Sequence, residues 1–64
     1  MNNEYIIFVI KIENGFYSAN RDDWFLSLNS ECIYFSDIQA KMALELAKKN
    51  YRNPSIATYK ITPI

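Results

Sequence analysis

The stretch Tyr5-Ile6-Ile7-Phe8-Val9-Ile10-Lys11-Ile12 carries one charge in eight residues. Read as a strand, it turns successive side chains to opposite faces. Ile6, Phe8, Ile10 and Ile12 share one face; Tyr5, Ile7, Val9 and Lys11 share the other. Both sets are largely apolar, so this strand needs cover on both sides and a central place in a sheet. A single helix covers only one side, which leaves the Ile7 and Val9 face to another part of the chain or to another molecule.

The residues that follow predict a hairpin. Asn14-Gly15 is the preferred pair for a two-residue type I′ turn, in which both central residues take positive φ. Gly15 is the only glycine, and that turn would set Ile12 opposite Tyr17 and Ile10 opposite Ala19. The second strand covers Phe16 to Ala19. Asn20-Arg21-Asp22-Asp23 is a polar turn cluster. A third strand, Trp24 to Leu28, places Trp24, Leu26 and Leu28 on one face and Phe25 and Ser27 on the other. Cys32-Ile33-Tyr34-Phe35 reads either as a short strand or as an irregular link.

Ser36-Asp37-Ile38-Gln39 is a helix start. Ser36 can cap a free N–H, Gln39 can complete a capping box, and Asp37 suits the positive end of the helix dipole. Ala40, Ala43, Leu44 and Ala47 recur at helical spacing, with Tyr51 continuing the row. These small side chains would let the helix sit close to a sheet. A second apolar row, Ile38, Met42 and Leu46, lies roughly opposite at about 100° per residue. Glu45 can pair with Lys41, Lys48 or Lys49. Asn50 suits a left-handed cap, and Asn53-Pro54 blocks continuation. Ser55 to Ile61 alternates as a closing strand. Met1 to Asn3 is a polar lead and Thr62-Pro63-Ile64 a tail.

These elements predict one α+β domain over residues 1–64, a four-stranded mixed sheet with a single helix packed on one face. Element order is β-β-β-α-β. A right-handed crossover would lay the last strand parallel to the first, in spatial order 3-2-1-4. A domain of 64 residues buries only about 60% of its unfolded surface and is marginal alone. With one cysteine it has no internal disulfide, so oligomerisation or a very dense core is the expected remedy, a homodimer being the simplest oligomer.

Composition narrows the function. Without histidine there is no usual general base at neutral pH and no Ser-His or Cys-His pair. No metal or cofactor site is expected: zinc wants four Cys and His ligands, and one glycine builds no phosphate loop. Asp22 and Asp23 read as a solvated turn. Cys32, four residues before the helix cap, reads as a buried, inert thiol. Seven basic and seven acidic residues give zero formal net charge, which argues against nucleic acid as a partner. No membrane-spanning segment or signal peptide is evident, and a lone cysteine suits a cytoplasmic setting.

A hairpin, an aromatic strand, then Cys32-Ile33-Tyr34-Phe35-Ser36 leading into Gln39-Ala40, Ala43 and Ala47 before a closing strand resembles small proteins of phages and mobile elements of Gram-positive bacteria. The resemblance covers about residues 4 to 61. It implies an accessory role in which the protein, in the host cytoplasm, binds a host protein and in some cases blocks antiviral defence. It transfers no catalytic residue.

The leading expectation is therefore a non-enzymatic binding protein that occludes a host protein, such as a component of bacterial defence. Arg21, Asp22 and Trp24 at the loop end, and Ile38, Met42 and Leu46 on the outer helix face, are the candidate contacts, since Trp and Arg are favoured hot spots. Core packing is the competing role for Trp24. A different class is a homo-oligomer that sequesters a nucleotide-like small ligand between subunits, held by Tyr and Arg. A nucleic-acid-binding module is the third.

Overall fold

Strand β1, Tyr5–Ile12, pairs with three other strands in the computed structural model, which describes residues 5–61. The Met1–Asn3 lead and the tail from Thr62 lie outside the described residues. β2 is Gly15–Ser18, β3 Asp23–Phe25, β4 Ile33–Tyr34, α1 Asp37–Lys48 and β5 Ser55–Ile61. A 3-10 turn, Ser30–Cys32, precedes β4. β5 follows β1 from Tyr5–Ile61 to Lys11–Ser55, while β2 pairs with Ile10 to Ile12 and β4 with Phe8 and Val9. One stretch of one edge holds one partner, so β2 and β4 share the edge opposite β5. β2 leaves β1 beyond Tyr17, and β4 fills the fork. β3 lines the far side of β2.

The α+β class, the single helix and the placement of β1 between the hairpin and the closing strand agree with the sequence. The strand directions do not. The sequence predicts a four-stranded mixed sheet with the last strand parallel to the first; the sheet has five strands and every pairing is antiparallel. The cause is β4. This two-residue strand adds one reversal before the helix, so the crossover through α1 returns the chain in the direction of β4, opposite to β1.

The hairpin differs as well. Its closing pair is Ile12–Gly15, with Ile10 opposite Tyr17, so Glu13 and Asn14 form the loop. Positive φ occurs at Asp22 and Asn53 and at no glycine among the described residues, which rules out a type I′ turn at Asn14-Gly15. Gly15 is required by a neighbour instead. A Cβ there would collide with the carbonyl oxygen of Phe25 and meet the Trp24 ring at 3.3 Å. The glycine lets β3 close on β2. β3 also stops at Phe25 rather than Leu28. The chain bends at Leu26 and Ser27, and Asn29 then caps the 3-10 turn, its Oδ1 accepting from Glu31 N–H at 2.9 Å.

Helix α1 begins as its sequence requires: Ser36 Oγ accepts from Gln39 N–H at 3.2 Å. Ala40, Ala43 and Ala47 are buried. The helix leaves through Lys49 in the right-handed region, not through a left-handed Asn50. The left-handed residue is Asn53, just ahead of Pro54. α1 covers the Ile10 face of β1, where Ile10, Tyr17, Ala43 and Ala47 form the core, ringed by Ile12, Tyr34, Tyr51 and Ile56. The Tyr17 and Tyr51 rings meet edge to face at 5.4 Å and 62°, a contact worth about 0.5–1.5 kcal/mol beyond its area. Tyr17 Oη donates to Asp22 Oδ1 at 2.7 Å, and Tyr34 Oη accepts from Ala19 N–H at 2.9 Å across the fork.

The opposite face is closed too. Ile7, Val9, Ser18 and Cys32 are all buried, and the 3-10 turn packs against β2. Of the two covers open for Ile7 and Val9, another part of the chain or another molecule, it is the chain itself that supplies one. The return segment from β3 to β4 closes the fork beside them and brings Cys32 inside. The Ser18 hydroxyl has no protein partner there.

Replacing Gly15 with Ala should force β2 and β3 apart and cost about 1–3 kcal/mol, read from urea unfolding followed by Trp24 fluorescence. Alkali should also unfold the domain. Burial first, then the bond to Asp22, holds the Tyr17 phenol far above its ordinary value. Burial likewise raises Tyr34 and Tyr51. A folded pKa above the unfolded one favours the folded state while the unfolded phenol stays protonated, and this advantage is lost as pH rises. The urea midpoint should hold up to about pH 9 and fall beyond about pH 10, where free tyrosines ionise. Tyr17→Phe should flatten part of that fall.

Candidate partner-binding surface

Ile38, Met42 and Leu46 stand outward on α1, at 72%, 65% and 42% exposure. Phe35, at the helix entrance, is also 72% exposed. Their positions follow from the helix phase that buries the alanines. About 100° per residue separates Ala40, Ala43 and Ala47 from the outer row. Charge borders that row on one side. Lys41 Nζ meets Asp37 Oδ2 at 2.9 Å, and Lys48 Nζ meets Glu45 Oε2 at 2.9 Å. Such exposed helix pairs contribute only about 0.3–0.5 kcal/mol each, so their main effect is to keep that flank polar.

The other flank opens into a groove of about 350 Å³ where the sheet forks. Ile33 and Tyr34 of β4, Ala19 and Glu31 form its sheet side, and Gln39, Met42 and Leu46 its helix side. Arg21 stands at this rim because its Nε meets Glu31 Oε2 at 2.6 Å. That bond and the neighbouring carboxylate raise the guanidinium pKa further. An apolar floor edged by charges is the usual anatomy of a protein-binding patch.

The six residues singled out by the sequence thus divide. Met42 and Leu46 line the groove, Ile38 extends the row along the helix, and Arg21 sits at the margin through Glu31. Asp22 does not line the groove: its carboxylate accepts from the Tyr17 hydroxyl, and its φ of 50° belongs to the turn. Asp23 Oδ1 accepts from Trp24 N–H at 2.8 Å, so the two adjacent acids serve the turn. Trp24 is 41% exposed, between the core and surface roles weighed for it. It lines a second, open groove of about 220 Å³ with Ile12, Asn14, Tyr51 and Arg52. Ile33, Tyr34, Glu31 and Phe35 were not singled out. The opposite charges of Arg21 and Glu31 were the one signal that could have linked the turn to β4.

Cys32 is fully buried, and burial pushes its thiol pKa up. Thiolate is the reactive form, so the native protein should react with a thiol reagent at pH 8 far more slowly than the urea-unfolded chain, which should take up one equivalent.

No helix among the described residues is long and apolar enough to cross a membrane. Comparison of the chain with models of protein families, with curated proteins and with solved structures gave no match.

Proposed function

We propose that this chain is a small, non-enzymatic binding protein that occludes a partner protein with the outer face of α1 and the groove beside it. The observation that carries this is the exposed apolar row Ile38, Met42 and Leu46 running into a groove floored by Ile33 and Tyr34. Contiguous apolar surface of this kind on a small domain marks an interaction site. The partner's matching surface would offer an aliphatic or aromatic anchor for the groove and polar groups for its charged margins. The resemblance to phage and mobile-element proteins supports a host protein in the host cytoplasm, such as a defence component, as that partner. The chain itself would act as a homodimer.

A second function, sequestration of a nucleotide-like ligand, is favoured by one observation. Trp24, Tyr51 and Arg52 converge on the second groove, where rings can stack and a guanidinium can grip an anion. A panel of nucleotides in a melting assay separates the two. A nucleotide at 100 times its Kd would stabilise the domain by about 2.7 kcal/mol; if the protein binds only a protein partner through α1, no nucleotide in the panel should shift the melting temperature.

Met42→Lys and Leu46→Glu test the first function. Both positions are exposed, so each variant should keep the wild-type melting temperature within a few degrees. In pull-downs from host lysate, wild type should retain a stoichiometric partner, and each variant should lose it at least tenfold. Retention of that partner by both variants would rule out this surface.

A further inference from the structure

We propose that the open edge of β5 seats a second copy of this chain, the two β5 strands pairing antiparallel about a two-fold axis at Thr58. This gives the homodimer proposed above its surface and rests on that part of the reading alone.

β5 is bonded to β1 along its whole length. Among the described residues no strand takes its other edge. Such an edge presents a row of backbone N–H and C=O groups, a template for another strand, and proteins usually blunt it with bulges, internal prolines, charges or short length. β5 has little of this protection. It runs seven residues in unbroken register with β1, Pro54 stands before it rather than within it, and Lys60 is its one charged residue.

The occupant follows from the order of its side chains. An axis at Thr58 sets Ile56 opposite Lys60, Ala57 opposite Tyr59 and Ser55 opposite Ile61. No like charges meet, and the large Tyr59 ring crosses the smallest side chain of the strand. Directly opposed pairs of this kind are the unit of sheet stabilisation. Tyr59 and Ile61, both exposed, would be covered in part by the second copy. The formal net charge of zero removes long-range repulsion between copies. The two-fold axis is perpendicular to the sheet, so both helices stand on the same face. The outer row of α1 then stays open in each copy, and the dimer does not compete with partner binding.

The test uses charge at the axis. Thr58 is exposed and meets its own copy across the axis, so Thr58→Lys and Thr58→Glu each place like charges face to face. Light scattering over a concentration series should show a wild-type dimer, and each variant monomeric at concentrations at least tenfold above the wild-type midpoint. An equimolar mixture of the two variants should restore the dimer, and circular dichroism should show both folded. Met42→Lys should dimerise as wild type does. A wild-type monomer at all concentrations overturns the proposal. So does a wild-type dimer that both Thr58 variants retain, or a dimer that only Met42→Lys abolishes. Partner capture through α1 is scored separately, so either surface can fail without the other.

Discussion

β1 has two apolar faces and two hydrogen-bonding edges, and a chain of 64 residues has to satisfy them all. Buried backbone groups without partners cost as much as lost hydrogen bonds, and exposed aliphatic faces forfeit about 25 cal/mol per Å². The fold meets these demands economically. β5 takes one edge entire. β2 and β4 divide the other. α1 covers one face, and the buried Cys32 marks where the return segment closes on the sheet near the other. Alanine at the helix contact and glycine at the contact of β2 with β3 have one purpose: they allow close approach where there is little chain to spare.

What could be read from the sequence was whatever repeats locally. β1 and β5 have the bounds that their alternation predicts, and the helix buries the alanines that its spacing predicts. What could not be read depends on distant neighbours. Two residues are too few to show a period, so β4 was ambiguous, and with it the direction of β5. Gly15 belongs to the most familiar of turn pairs, yet its place answers to Phe25, ten residues on. The chain bends at Leu26 and Ser27 directly after β3, and the alternation of Trp24, Leu26 and Leu28 does not announce that.

The candidate surface was half legible for the same reason. A helix face is written in its own periodicity, so Ile38, Met42 and Leu46 could be named. The sheet side of the groove could not, because it exists only where β2 parts from β1 and β4 enters. The second role of Asp22 was also illegible: a carboxylate in a turn looks merely solvated until a buried tyrosine is found donating to it.

The pairing of β1 with β5 also sets a limit on how the domain can assemble. Nearly the whole described chain separates the two strands, so this ladder has the highest contact order the fold allows. Such pairings form late, after a large loop-closure entropy has been met. Until Ser55–Ile61 has been synthesised and docked, β1 lacks a neighbour along one entire edge, and the backbone of this Ile-rich strand is open to pairing with any other nascent chain. The hairpin and α1, built from local contacts, can form earlier. The slowest step of folding is then also the step that removes the most aggregation-prone edge, so the yield of native protein in a cell should depend on expression rate more steeply than the size of the domain suggests.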